Sequence, residues 1–231
     1  MGTEDHNNEP QNETSTGKME EVISTPPPQG LASIMTWLYD QVVSGITGIE
    51  SAEKLAERYL NDAKGDAMVA AQEMIYWESI KAGSSGFLSG IGGVVALPVL
   101  MPLNITSVLF LQTRLVAAIA CIGKHNLADE RIRALAGLCL CGNAAKLLLQ
   151  ELAIQTMERW TTVVTQQIVE KTLLIMAART GMGAGSQLIR LIPLAGGVVN
   201  GAVDIASTRT IGHVACTTFL ESQPELKHIE S

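Results

Sequence analysis

The chain has 231 residues, 47% of them hydrophobic and only 4% aromatic, with 21 glycines and a formal net charge of −7. That length suits one or two domains whose core is built from aliphatic and small side chains, so closely approaching helices are the favoured architecture. The excess of acid lies largely in the first fifty residues and no Lys/Arg cluster falls on any predicted face, which removes the electrostatic footprint a nucleic-acid binder needs.

Residues 1–29 combine Asn, Glu, Thr and Ser and end in TPPP at 25–28; they are too polar to offset the entropy of ordering and read as a disordered tail. The opening MGTEDHNNEP is acidic where a signal peptide is basic and then apolar. Gly2 does not make a myristoylation signal, because His6 stands where that motif takes Ser or Thr. Leu31, Ile34, Met35, Leu38, Val42 and Ile46 recur at helical spacing and predict a first amphipathic helix. Ser51 caps a second, with Ala52, Leu55, Ala56, Tyr59 and Leu60 on its apolar face. A third runs from Asp66 to about Lys81, before the GSSG turn.

The next segment, GFLSGIGGVVALPVLMPLNITSVLFLQTRLVAAIA (86–120), contains one charge, Arg114. Pro98 and Pro102 divide it. The first piece is too short to cross a hydrocarbon core of about 30 Å. The second, about 103–122, is long enough but carries Asn104, Thr106, Ser107, Gln112, Thr113 and Arg114, and an intramembrane arginine needs a partner within the protein. A simple membrane span is disfavoured. Two further helices follow, over about 130–158 and 160–179, then a second mixed apolar segment from 188 to 221 and a polar tail over 222–231. The expectation is an all-α single domain over 30–221. The four cysteines, Cys121, Cys139, Cys141 and Cys216, lack zinc-ligand spacing and read as reduced core residues.

Shifting the chain by 95 positions superposes Gly86 on Gly181, Gly90 on Gly185, Pro98 on Pro193, Thr113 on Thr208, Arg114 on Arg209 and Cys121 on Cys216. The order suggests a twofold repeat of helix, glycine turn, proline-broken arm and Thr-Arg helix. Gly86 with Gly90, Gly181 with Gly185, and Gly197 with Gly201 are spaced for small-residue helix packing.

The ordered set WESIKAGSSGFLSGIGGVVALP, LQTRLVAAIACIGKHNL and IPLAGGVVNGAVDIASTRTIGHVACTTF, spanning about 66–220, resembles the bacterial EcsC protein family. The resemblance implies an all-helical, membrane-associated protein whose partner is a membrane surface or a membrane protein, the family taking its name from a gene neighbouring an ABC transporter. It transfers no catalytic residue.

GSSGFLSGIGG lacks the Lys-Ser/Thr ending and the preceding strand of a phosphate loop. Ser85, His125 and Asp129 contain the residue types of a hydrolase triad but no G-x-S-x-G elbow. Arg114, Asp204 and Arg209 are the charges retained in the two apolar arms, and His213 shares a helix face with Arg209; these four form the candidate polar centre, with Arg114 expected to pair with Asp204 between the repeats. The functional expectation is a non-enzymatic protein, cytoplasmic and peripherally or reversibly bound to membrane through its glycine-rich arms. No catalytic set, cofactor or metal is assigned, and homo-oligomerisation is compatible with the pattern. The competing reading is a soluble, hydrolase-like helical enzyme for an apolar or lipid-like substrate, which a lipid-sized cavity converging on Asp204 or His213 would favour.

Overall fold

The computed structural model describes residues 30–46, 48–84, 103–151, 161–180 and 197–221. They form an all-α structure. Helix α1 is Leu31–Ser44, α2 Ala52–Asp62, α3 Ala67–Gly83, α4 Leu103–Ile122, α5 Glu130–Cys139, α6 Asn143–Glu151, α7 Thr162–Thr180 and α8 Gly197–Cys216, which continues into a π-helical turn over Thr217–Glu221.

Local chemistry sets several boundaries. Ser51 Oγ accepts the Lys54 N–H at 3.3 Å to open α2. The Asp66 carboxylate accepts from the amides of Met68 and Val69, both at 3.0 Å, to open α3. Asp129 accepts from Arg131 N–H at 2.8 Å to open α5. Such caps satisfy amides that the helix leaves without partners and contribute about 1 kcal/mol each. The single helix expected over 130–158 is corrected: α5 stops at Cys139, and Gly142, at φ 62, breaks the helical path before α6. The amides of Leu140, Cys141 and Gly142 turn back to the carbonyls of Gly137, Leu138 and Cys139. The apolar run Leu138-Cys139-Leu140-Cys141 hides this break from periodicity.

Helix α4 is the axle of the fold. It touches α1, α2, α3, α5 and α8, and every residue from Leu109 to Ala120 is buried. A helix apolar on all sides must be surrounded; here the surroundings are Ile34, Leu38 and Val42 of α1, Leu55 and Tyr59 of α2 and Met74 of α3, all in the same core. No helix among the described residues is long and apolar enough to cross a membrane.

Helices α3 and α8 make the most extensive pairing and run antiparallel, since Ile75 lies at Gly212 while Gly83 lies at Gly201. A Cβ on Gly201 would sit 2.6 Å from the Gly83 carbonyl oxygen, and one on Gly83 would sit 2.7 Å from the Gly201 carbonyl oxygen. The two backbones are in direct contact. Under the 95-residue shift, Ala67 at the start of α3 falls on Thr162 at the start of α7, and Leu103 of α4 falls one residue inside α8. Packing does not follow the same correspondence: α3 lies on α8 and α4, whereas α7 lies on α5 and α1.

Candidate functional site

Arg114, on the central helix, finds its carboxylate on α3. Its Nη2 donates to Glu78 Oε2 at 2.8 Å, with the two side chains 5% and 0% exposed. The expected Arg114–Asp204 pair is thereby corrected: the acid that meets Arg114 comes from the helix before the glycine-rich segment. Glu78 Oε1 accepts a second bond from Lys81 Nζ at 2.6 Å, a side chain 39% exposed, so one carboxylate links the core to the surface. Burial, reinforced by the Glu78 carboxylate, raises the Tyr59 phenol. The hydrogen-bonded Arg58 holds Glu50 below the usual carboxylate range, with Arg114 and Lys81 adding to the effect. Glu50, Arg58, Tyr59, Glu78, Lys81 and Arg114 thus form one charged cluster at the junction of α2, α3 and α4. A buried pair of this kind is retained only when both ions are bonded, because desolvation alone costs several kcal/mol per ion.

On the opposite side of α4, Gln112 Nε2 donates to Ser207 Oγ and Thr208 Oγ1, both at 3.1 Å. Its Oε1 is buried without a protein partner, as is Arg114 Nε. Asp204 is half-buried and its backbone carbonyl accepts from Ser207 Oγ at 3.2 Å. Arg209 and His213 are exposed and share the outer face of α8. Arg209 Nε donates to Ser79 Oγ at 3.3 Å and its guanidinium lies 5.7 Å from the centre of the Tyr76 ring. The four expected polar residues are therefore not gathered in one place: Arg114 points into the α2–α3–α4 junction, and Arg209 and His213 look outward.

Among the packing glycines, Gly201 lies in the α3–α8 contact and Gly197 is the first residue of α8. Gly86, Gly90, Gly181 and Gly185 lie outside the described residues, as does Ser85. The other two triad candidates have local duties. His125 Nε2 is 3.0 Å from the Phe219 carbonyl oxygen, and Asp129 caps α5 while binding Arg131 at 2.6 Å.

Sequence reasoning missed Glu78, Lys81 and the aromatic pair Tyr76–Trp77. Glu78 had a signal: it stands four residues after the buried Met74 and four before the buried Ala82, on the apolar stripe of α3, where an acid requires a partner. Tyr76 and Trp77 are 49% and 53% exposed and meet edge to face, with ring centres 5.2 Å apart.

Burial pushes the Cys139 thiol up to about 12, and Cys121 and Cys216 up to about 11. None of the four cysteines is in a disulfide, and no group of His, Cys, Asp or Glu among the described residues is arranged to hold a metal. Because these acids ionise at higher pH in the folded than in the unfolded chain, the stability they contribute is complete below about pH 9 and is lost as pH rises toward 11 to 12. The melting temperature is therefore expected to fall over that window, and a thiol reagent at pH 8 to label the partly exposed Cys121 ahead of the buried Cys139, Cys141 and Cys216. Site-resolved mass spectrometry of the labelled protein checks this order; equal labelling of all four in the native state would contradict it.

A cleft of about 450 Å3 opens where α2 and α4 end, lined by Leu60, Asn61, Lys64, Gly65, Ala67, Cys121, Ile122 and Lys124. Neither Asp204 nor His213 contributes to it. No protein-family model matches this chain, and neither a curated protein nor a solved structure is found to be similar to it.

Proposed function

We propose that this chain is a non-enzymatic helical protein of the EcsC type that binds a membrane surface peripherally. The observation that carries the reading is the exposed Tyr76–Trp77 pair, set beside Arg209 over the Tyr76 ring. Tyrosine and tryptophan pair an apolar body with a polar tip and favour the headgroup region, where an adjacent arginine meets lipid phosphate. The neighbouring outer face of α8 adds Ala202, Val203, Ala206 and His213, a surface of small apolar side chains and an imidazole. Contact through a face of α3 and α8 leaves the buried α4 in the protein core, so the apolar character of 103–122 serves folding, and lipid is met by side chains the core does not use.

Sedimentation of the full chain with vesicles of phosphatidylcholine and phosphatidylglycerol tests the reading. Wild type is expected to pellet with lipid, and Trp77→Ala and Tyr76→Ala each to weaken binding by about tenfold to a hundredfold, since withdrawing one large aromatic from an apolar environment costs roughly 1.5–3 kcal/mol. Their folding stability should change by no more than about 0.5 kcal/mol, as for other surface substitutions. Wild type remaining in solution at every lipid concentration, or variants binding equally well, would overturn the proposal. Binding to native membranes but never to pure lipid would overturn the lipid contact in favour of a membrane protein.

A further inference from the structure

We propose that the cleft between the C-terminal ends of α2 and α4 is a binding site for a phosphate group carried on an apolar or glycerol-like body, held between Lys64 and Lys124. Both lysines line the cleft, and they are the non-glycine residues with left-handed backbones among those described, at φ 55 and φ 60. The two helices end in the same way. Lys64 N–H bonds the Asn61 carbonyl at 3.1 Å and Gly65 N–H the Leu60 carbonyl at 2.8 Å, while Lys124 N–H bonds the Cys121 carbonyl at 2.8 Å and His125 N–H the Ala120 carbonyl at 3.0 Å. This double bond pattern is a Schellman turn, whose left-handed residue is usually glycine because any Cβ is strained there.

Twice, at one cleft, the chain places lysine where glycine would sit without strain. A cation near a helix C-terminus gains a little from the helix dipole, but that benefit does not require the two lysines to share a cleft. The volume falls within the range of roughly 300–1,000 Å3 typical of small-molecule sites, and Leu60, Ala67 and Ile122 give it apolar walls. Of the two acids at the α2 turn, Asp66 already accepts two amide bonds and Asp62 is the exposed last residue of the helix. Glu53 and Glu57 contribute to raising the thiol of Cys121, a residue of the cleft wall, so the two lysines have to outweigh this negative charge and the negative ends of two helix dipoles. Two exposed lysines on the rim of a cleft with apolar walls suit a phosphate monoester, whether on a soluble metabolite or on a lipid headgroup.

This inference rests on the membrane reading only for the lipid source, and the test separates them. The full chain, wild type and the Lys64→Gly, Lys124→Gly and double variants, is titrated with sn-glycerol 3-phosphate by calorimetry and with phosphatidylcholine vesicles containing or lacking phosphatidic acid by sedimentation. Thermal melts accompany each variant. Each single substitution is expected to reduce phosphate-dependent binding about tenfold, with the melting temperature unchanged or raised because glycine relieves the backbone. Lysine-dependent binding of glycerol phosphate supports the site and a soluble source. Lysine-dependent binding confined to phosphatidic acid vesicles supports the site and a lipid source. Binding that is absent in both arms, or that survives the double substitution, overturns the site. Trp77→Ala should leave glycerol phosphate binding intact while weakening vesicle binding, so a failure of the membrane reading shows in the vesicle arm alone.

Discussion

Gly201→Ala is expected to destabilise the protein by at least about 2 kcal/mol, and Gly201→Leu to prevent folding. The expectation runs against helix propensity, which favours alanine over glycine by about 1 kcal/mol in a helix interior. Packing decides the sign. A Cβ at 201 would stand 2.6 Å from the carbonyl oxygen of Gly83, and backbone cannot swing aside as a side-chain end can. The two helices would have to separate along their contact, loosening Ile75 against Gly212 at one end and Ile205 against Gly83 at the other. Gly137 of α5 is the control: its added Cβ would meet only Thr172 Cγ2, at 3.7 Å, an ordinary contact, so Gly137→Ala should stabilise by up to about 1 kcal/mol. Urea denaturation of both alanine variants checks the pair of signs. Stabilisation in both would mean that the α3–α8 backbones are not in contact.

The same comparison shows what a linear pattern conveys. Ser51, Asp66 and the apolar spacing after Leu31 announce their helices because caps and amphipathic faces are local, and all three helices are present. Gly201 is legible as a packing glycine from its spacing with Gly197, but Gly83, its actual neighbour, belongs to no such pair. Hydropathy marks 103–122 as water-excluding without saying what excludes the water; lipid and five neighbouring helices leave the same signature, and only the arrangement of α1, α2, α3, α5 and α8 around α4 separates them. The break at Gly142 escapes because apolar residues continue through it. The partner of Arg114 escapes for a different reason: charge pairing is set by which helices become neighbours, and the acid lies 36 residues earlier on α3, outside the apolar arms in which Asp204 was the available choice.

Removing either member of that pair should be among the most damaging substitutions in the protein, and the two should not be equal. Arg114→Met leaves Glu78 fully buried but still bonded to Lys81, whose side chain reaches solvent, so its cost should fall near the lower end of the roughly 3–5 kcal/mol typical of broken buried pairs. Glu78→Leu takes away the carboxylate that holds Arg114, a guanidinium whose Nε already lacks a protein partner, while Lys81 simply turns to water; its cost should lie near the upper end. Arg114→Met combined with Glu78→Leu removes both charges and fills the space with apolar groups, so it should recover much of the loss and give a coupling energy of about 2 kcal/mol or more. A parallel cycle of Arg114→Met with Asp204→Leu should be additive to within about 0.5 kcal/mol. Equilibrium denaturation of the two cycles decides between the acids. Additivity with Glu78 together with strong coupling to Asp204 would reverse the assignment, moving the ion pair from the α3–α4 contact to the contact between α4 and α8, where Gln112 already bonds Ser207 and Thr208.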